Sequence, residues 1–393
     1  MRHYSEINSK ALGFLFLLWT LWFFNVAGRL ITTPLLPLIE DEFGLTHFKS
    51  TSIFLSQSIG YALGTVLSGF YSGSIGFKRT IVFSFCMLAC TSFFMPFVKI
   101  FPLFYPIQFV AGFSAGTYIP AIMPLIREHF AEKNLGKIIP IYDSAAPMGI
   151  FTVPFFALFL LNFLHWREIY YVVGIALLIV CLIFSFVGNE LKVNQPHETV
   201  FRGLIGRKSL WVMVMIMSIA MGANMGIYSI LPLYLTKELS LRVGHANSLL
   251  GISRLGGIGV AIFCGFLVER FSLRKIMFIL MIISGILTIF LGVASAGHIG
   301  IMLFLQAVFI TGIMPVAFVC MAKLYDRETM SMAVGFVLPL STLLGSGLIP
   351  YLLGLLGDLL SFRFGIVVLG ALLILVSWLA LSLKESRQDS DQI

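Results

Sequence analysis

Long apolar runs separated by short polar turns recur along the whole chain. Twelve of them are long enough for a helix to cross a bilayer, which takes about 20 residues. Their predicted bounds are 11–37, 50–72, 80–99, 102–126, 136–163, 168–188, 209–235, 246–268, 275–296, 299–323, 331–357 and 362–383. Barrel strands need only about ten alternating residues. Because lipid offers the backbone no hydrogen bonds, the runs must be helices. The pattern predicts an all-α polytopic membrane protein with twelve transmembrane helices.

The longest polar stretch lies between the sixth and seventh runs. It predicts an N-terminal six-helix bundle over 1–188, a cytoplasmic linker over 189–208 and a C-terminal six-helix bundle over 209–393. Landmarks at matched places support two pseudo-symmetric bundles. They are Pro37 and Pro232, Gly69 and Gly265, and Arg127 and Arg327, separated by 195, 196 and 200 residues. A duplicated six-span unit is typical of secondary transporters.

Composition agrees with this pattern, since the 393 residues are 59% hydrophobic and 11% charged. The net charge of +8 is unevenly placed. Eighteen lysines and arginines fall in the turns on the side of both termini and six on the opposite side. This asymmetry predicts cytoplasmic termini in a bacterial inner membrane. It also accounts for the positive net charge without a nucleic-acid partner. The first run is too long for a cleavable signal and lacks a small-residue cleavage site.

Reactive side chains form no catalytic or metal-binding pattern. All five cysteines fall inside apolar runs, where we interpret them as small buried hydrophobes. The seven histidines are scattered, and no phosphate loop of the Gly-x-x-x-x-Gly-Lys type is present. The sequence therefore predicts a protein that is not an enzyme, that has no cofactor or metal, and whose transport would be driven by gradients.

Two loops have related charged patterns. The loop after the eighth run contains Gly265, Glu269, Arg270, Arg274 and Lys275, and the loop after the second contains Gly69, Gly76, Lys78 and Arg79. Both resemble the signature Gly-x-x-x-Asp-Arg-x-Gly-Arg-Arg/Lys of the major facilitator superfamily. The first copy departs from it, with Gly73 and Ser74 in place of the acid and the arginine.

The resemblance covers essentially the whole chain and leaves the subfamily open. It implies the superfamily's fold, in which two bundles alternate in exposing a central cavity. It also implies coupling or gating roles for Glu269, Arg270 and Arg274, and for Lys78 and Arg79 in the degenerate copy. Plain topogenic charge is the alternative interpretation of both loops.

Three charged residues lie inside the runs and away from their ends: Arg29, Asp143 and Arg254. Arg29 precedes Pro37 by eight residues and Arg254 lies about eight residues into its run, so each is about 12 Å from the outer end. An arginine inside a span is expensive unless it faces a cavity or a partner. Its guanidinium fork matches a carboxylate or a phosphate. In the arrangement that the superfamily implies, both arginines face one cavity, which predicts an anion as their counter-ion.

Further polar residues are candidate ligands of this anion. Asn224 holds the repeat position of Arg29, and we predict that Asn224 and Tyr228 face that arginine. The remaining candidates are Asn25, Gln57, Tyr61, Tyr118 and Tyr142.

Each charged residue also has a structural interpretation. Arg29 could bond carbonyls freed by Pro34 and Pro37, and Arg254 could cap carbonyls near 256–257 or pair with Glu238. Asp143 could form a gate contact with the loop between the eighth and ninth spans, or it could carry a proton.

The sequence as a whole predicts a secondary active transporter that moves a small anionic organic solute by alternating access. Its partners would be that solute, a coupling proton or ion and the lipid bilayer, and the protein would be a monomer. A drug–proton antiporter is the alternative within transport, although only Asp143 could carry the proton and two arginines oppose a cation. A non-transporting membrane sensor is an alternative of another class, and the degenerate first signature would suit it.

Overall fold

The chain is built from helices. The computed structural model describes residues 9–188, 190, 204–257, 260, 264 and 270–383. The helices are α1 Ser9–Phe43, α2 His47–Ile75, α3 Phe77–Phe97, α4 Phe101–His129, α5 Glu132–Leu161, α6 Trp166–Val187, α7 Lys208–Glu238, α8 Val243–Ile252, α9 Leu273–Val293, α10 Ile299–Leu324, α11 Met332–Leu359 and α12 Phe362–Leu381.

Eleven of these helices, all except α8, are long and apolar enough to cross a membrane, counted over the described residues. The predicted all-α polytopic fold is confirmed. The predicted eighth span, 246–268, overlaps α8 and continues into residues outside the described ranges. The other predicted bounds differ from the observed ones by at most six residues. Most helices begin earlier than predicted because polar residues of the preceding turn join them, whereas α3, α5, α6, α9 and α12 end up to three residues earlier than predicted.

Several helices are interrupted where proline or glycine weakens the backbone ladder. In α1 the break falls at Ile31, where Pro34 supplies no N–H for the carbonyl of Leu30. In α5 it falls at Ser144, and Pro147 leaves the carbonyl of Asp143 without its helical donor. In α7 and α11 the helix widens into π-helical turns over Gly222–Gly226 and Leu343–Leu348. Such widened turns leave carbonyls free for other donors.

The chain divides into two compact units. Unit 1 comprises Met1–Leu45, Ser56–His197 and Val243–Gly251, and unit 2 comprises Thr46–Leu55, Glu198–Arg242 and Ile252–Ile393. The first turns of α2 belong to unit 2 because Asp358 accepts hydrogen bonds from the backbone N–H groups of His47 and Phe48, at 2.9 and 2.8 Å. The segment of α8 belongs to unit 1, where Asn247 donates to the carbonyl of Pro34.

A charged clamp is repeated in the two units. In unit 1 the Arg167 guanidinium pairs with Glu42 at 2.6 Å and also donates to the carbonyls of Pro96 and Val98. In unit 2 Glu238 accepts from the backbone N–H groups of Phe362 and Arg363. The two acids are 196 residues apart in sequence, and so are the two arginines. Each clamp holds the first helix of its unit against the start of the last one, and in unit 2 the carboxylate also complements the helix N-terminus.

Four glycines let α2 and α4 approach each other closely in unit 1. A Cβ added at Gly60 or Gly64 would meet the backbone of Phe109 or Phe113, and one added at Gly112 or Gly116 would meet the backbone of α2. Small residues spaced four apart on both helices permit this contact. It fixes the separation of α2 and α4, which carry Gln57, Tyr61 and Tyr118.

We expect Gly112→Ala to destabilise the protein by about 1–3 kcal/mol, because the added methyl overlaps the carbonyl oxygen of Gln57 and backbone cannot turn aside as a side chain can. Gly136→Ala is the matched control, since a Cβ there meets nothing within 4 Å. Thermal unfolding of the purified protein in detergent compares the two variants. Equal unfolding temperatures would show that the α2–α4 contact tolerates an added methyl.

Candidate functional site

Arg29 is the centre of a donor-rich cluster in unit 1. Its guanidinium carbon lies 4.7 Å from the ring centroid of Tyr61, a cation–π contact. Its Nε is buried and has no hydrogen-bond partner among the residues that the structure describes, and the same is true of the Asn25 Nδ2. The two residues are four apart in α1 and so share one face of the helix. This face therefore presents two unused donors.

No carboxylate among the described residues pairs with Arg29, and its guanidinium donates to no backbone carbonyl there. The structural interpretation, in which Arg29 bonds carbonyls freed by Pro34 and Pro37, is therefore not what the structure shows. The π face of Tyr61 offsets a small part of the cost of placing this half-buried charge inside the helix bundle. Hydrogen-bonding capacity remains for an acceptor from outside the unit's own side chains.

Gln57 supports the backbone beside Arg29. Its amide donates to the carbonyl of Arg29 at 3.0 Å and to the side-chain oxygen of Gln108 at 2.8 Å. Gln108 in turn donates to Thr32, whose hydroxyl contacts that of Tyr170. This buried chain of hydrogen bonds spans the break in α1. One hydrogen bond of Gln57 thus holds α1 directly, and the other reaches α1 through Gln108 and Thr32. Its role as a ligand of the anion stays a prediction.

Arg254 is held differently, inside unit 2. It lies in the turn directly after α8, and its guanidinium donates to the side-chain oxygen of Asn224 at 2.5 Å and to the backbone oxygen of Asn224 at 3.2 Å. It also lies over the ring of Tyr228, 4.8 Å from the centroid. The structure thus brings Asn224 and Tyr228 to Arg254. Their predicted approach to Arg29 stays a prediction.

The Arg254 contacts stabilise the widened turn of α7. The π-helical segment Gly222–Gly226 displaces carbonyls from the regular ladder. Arg254 caps the carbonyl of Asn224, and Gln306 caps that of Ala223 at 2.9 Å. The sequence interpretation in which Arg254 caps backbone carbonyls was right in kind and wrong in place, because the carbonyl belongs to Asn224. Glu238, the other suggested partner, binds the start of α12.

Each arginine contacts the ring of a tyrosine in its own unit, and the arginine and the tyrosine exchange positions between the two units. In unit 1 the arginine lies on the first helix and the tyrosine on the second, whereas in unit 2 the tyrosine lies on the first helix and the arginine follows α8. Arg254 keeps one unused donor, since its buried Nε has no partner. Among the described residues, the guanidinium of Arg29 makes fewer hydrogen bonds than that of Arg254.

Tyr118, Tyr142 and Asp143 meet in a second cluster of unit 1. The two tyrosine hydroxyls are hydrogen-bonded at 3.2 Å and both rings stack near Trp22. The indole N–H of Trp22 donates to the carboxylate of Asp143 at 3.3 Å. Both tyrosines are buried with their hydroxyls engaged, whereas Asp143 remains exposed at the break in α5. Asp143 is therefore the accessible acid of this cluster.

The acid that is missing from the first loop signature is supplied by a residue from another part of the chain. Gly76 has a φ of +112°, in the region that favours glycine, and it begins the turn into α3. The carboxylate of Glu190, after α6, lies against Gly76 and pairs with the Nε of Arg79 at 3.5 Å. In the second copy, Arg270, Arg274 and Lys275 are described, whereas Glu269 lies outside the described residues.

Some residues with structural roles escaped the sequence analysis. Gln108, Gln306 and Glu190 were not recognised as the partners of the candidate residues. Gln108 and Gln306 hold similar places near the starts of α4 and α10, and each bonds the first helix of its own unit. Their shared position in the repeat was the available signal.

Comparison with known proteins identifies the family. A sequence model of the Major Facilitator Superfamily matches residues 18–300 and 210–392. The chain belongs to the Major Facilitator Superfamily. This facilitator is accordingly an integral multi-pass membrane protein of a transporter family, as predicted.

Relatives of this facilitator differ in the functions that their names give. A bicyclomycin resistance protein homolog of Haemophilus influenzae is 22% identical over 155 residues, 39% of each chain. An uncharacterized MFS-type transporter of Bacillus subtilis, YceJ, is 20% identical over 65% of this chain and 67% of its own length. The hexuronate transporter of Bacillus subtilis is 23% identical over 50% of this chain and 45% of its own. The match thus spans less than half of the first and third relatives.

Solved structures share the fold over nearly the entire chain. A bacterial homolog of the human lysosomal transporter Spinster, in an inward-facing and occupied conformation, superposes with a TM-score of 0.81 at 13% identity, covering 96% of this chain and 97% of the other. A D-xylose–proton symporter gives a TM-score of 0.80 at 13% identity, covering 95% and 98%. At this identity the likeness shows the fold alone.

Proposed function

We propose that this facilitator carries a small organic anion across a bacterial inner membrane by alternating access. One observation supports the proposal above the others: Arg29 and Asn25 present two buried, unused hydrogen-bond donors on one face of α1. Buried unused donors require an acceptor, and a half-buried guanidinium without an ionic partner favours negative charge. A carboxylate or phosphate supplies both. Arg254, through its unused Nε, is the second proposed ligand.

The proposal extends to orientation and energy source. The unequal placement of lysine and arginine supports cytoplasmic termini, and the absence of a nucleotide-binding motif from the sequence supports coupling to a proton or ion gradient. Asp143 is the proposed coupling or gating acid, since its carboxylate is exposed at a helix break. The proposal treats the working unit as a monomer.

The hexuronate transporter suggests a first set of probes, because a hexuronate is a sugar that carries one carboxylate. A sugar acid would place its carboxylate on Arg29 and its hydroxyls on neutral donors such as Asn25. The matched neutral sugar lacks only the charge. Comparing the two isolates the electrostatic contribution from that of the sugar ring.

Uptake into proteoliposomes tests the proposal. We expect purified protein to accumulate radiolabelled glucuronate or another small organic anion under an imposed proton gradient, and not to accumulate glucose. A screen of carboxylates and sugar phosphates by thermal shift selects the anion to be used, since a ligand that binds only the folded chain raises its unfolding temperature. Stabilisation by no anion of the screen would overturn the proposal.

A drug–proton antiporter is the second candidate function. Asp143, an exposed carboxylate held by the Trp22 indole, favours it, and a relative carries the name of bicyclomycin resistance. The same assays separate the two functions. Stabilisation and proton-coupled movement of ethidium, abolished in Asp143→Asn and indifferent to Arg29→Gln, would establish the antiporter. Flux of neither class would favour the membrane sensor.

A further inference from the structure

A groove runs between the start of α3 and the end of α6 in unit 1. It encloses about 610 Å³. Its lining residues are Lys78, Arg79, Val82, Phe83, Cys86, Ser185 and Glu190. We call it the basic groove. The two basic residues lie in the first turn of α3, and the apolar ones follow one and two turns later on the same face. The groove therefore has a charged end and an apolar length.

The charged end of the basic groove has an excess of positive charge. Glu190 pairs with Arg79, whose side chain is 67% exposed, and one oxygen of Glu190 is buried with no hydrogen-bond partner in the described part of the chain. Among the residues that the structure describes, Lys78 has no ionic partner. Two cations thus face one carboxylate. The remaining N–H donors of Lys78 and Arg79 can bind a further anion, whereas the unpaired oxygen of Glu190 is an acceptor and repels one.

The apolar length of the groove is exposed in a protein that spans a bilayer. Phe83 is 50% exposed, and Leu182 and Phe186 on α6 are more exposed still. Side chains of this kind inside a span contact acyl chains. A free phosphate or a soluble peptide would use only the charged end, whereas a phospholipid uses both parts.

A second groove lies on the other side of α6. It encloses about 460 Å³ between α1 and α6, it is lined mainly by apolar residues, and Lys10 lies at its end. Both grooves thus combine a basic end with an apolar slot, and residues in the last turns of α6 line both. The repetition of this design on two faces of one helix points to the surrounding lipid as the ligand.

We propose that the basic groove binds an anionic phospholipid, with the headgroup phosphate on Lys78 and Arg79 and an acyl chain along Val82, Phe83 and Cys86. Basic pockets between transmembrane helices recognise such headgroups. Glu190 competes with the phosphate for Arg79, so lipid binding breaks the ion pair between Glu190 and Arg79. The proposal is independent of the transported solute.

The C-terminal repeat provides a matched control. Arg274 and Lys275 hold the positions that correspond to Lys78 and Arg79, 196 residues later. In that unit α9 and α12 pack closely through glycine, because a Cβ at Gly285 would lie 2.8 Å from the carbonyl oxygen of Gly370. The corresponding position in α3 is Ala89. Equivalent charge is therefore present beside a tighter helix pair.

The experiment measures lipid binding to the full chain, purified in detergent and freed of lipid. Phosphatidylglycerol, phosphatidylcholine with the same acyl chains, and sodium phosphate are titrated separately, with unfolding temperature as the readout. We expect phosphatidylglycerol to stabilise the wild type most. The Lys78→Ala, Arg79→Ala double variant should bind it about 20-fold more weakly, since each basic residue near the surface contributes severalfold. Glu190→Gln should bind it more tightly.

Three results would overturn the proposal: equal stabilisation by phosphatidylcholine, equal stabilisation by phosphate alone, or an equal loss in the Arg274→Ala, Lys275→Ala control. Photo-crosslinking with a phosphatidylglycerol that carries a diazirine in its acyl chain tests the wild type without any substitution. Crosslinks concentrated on the peptide that contains Val82, Phe83 and Cys86 support the groove. Crosslinks spread evenly over the lipid-facing helices contradict it.

Discussion

Arg29→Gln is expected to abolish anion binding while leaving the fold intact. The substitution removes the unpaired guanidinium and keeps a polar side chain of similar length. Removing a charged partner of a bound ion costs about 2–5 kcal/mol, so the anion should bind at least about 30-fold more weakly. The ligand-free protein should unfold at the same temperature as the wild type or higher, because a half-buried charge whose buried Nε has no hydrogen-bond partner among the described residues has been removed.

The measurement is a thermal-shift titration with the anion that the screen selects, followed by uptake into proteoliposomes. Arg29→Lys keeps the charge and loses the fork, so it should retain part of the affinity. Lys49→Gln removes one exposed positive charge and is the control for net charge. If Arg29→Gln transports the anion at the wild-type rate, Arg29 is not a ligand and the proposed function loses its main support.

The helices could be predicted because lipid, as the solvent of the spans, offers the backbone no hydrogen bonds. A chain in lipid must bond its backbone internally, so the length of each apolar run fixes an element and its approximate ends. The duplication was predictable for a related reason, since landmarks such as Pro37 and Pro232 repeat at a nearly constant separation. The interruptions were only partly predictable. Pro34 explains the break in α1, but the π-helical turn of α7 depends on capping by Gln306 and Arg254, which come from distant parts of the chain.

The candidate site was predictable in its charged residues and not in their partners. Arg29 and Arg254 were conspicuous because charge inside an apolar run is rare. Their local difference was invisible in the sequence, because it depends on which polar side chain reaches each guanidinium. Asn224 reaches Arg254, whereas Gln57 bonds the backbone of Arg29 and leaves its guanidinium free. Pairing of side chains across helices requires their rotations and depths, which hydropathy does not encode.

This difference predicts opposite effects of substituting the two arginines on stability. Arg254→Ala should lower the free energy of unfolding by about 3 kcal/mol. It leaves the side-chain and backbone oxygens of Asn224 buried without their donor, and each unpaired acceptor costs about 1–3 kcal/mol. Asn224→Ala should cost less, because Arg254 keeps the backbone oxygen and the ring of Tyr228. Titration with sodium dodecyl sulfate measures both values.

A double-mutant cycle separates this contact from general damage to α7. If Arg254 acts through Asn224, the double variant should be about 1–2 kcal/mol more stable than the sum of the two single effects predicts. Tyr228→Phe is the control, since it keeps the aromatic face and removes only the hydroxyl. Additive effects would mean that Arg254 stabilises the turn without Asn224. A loss of anion binding in Asn224→Ala with little loss of stability would support Arg254 as a second ligand. A guanidinium that Asn224 no longer orients would still hold the turn through the backbone oxygen.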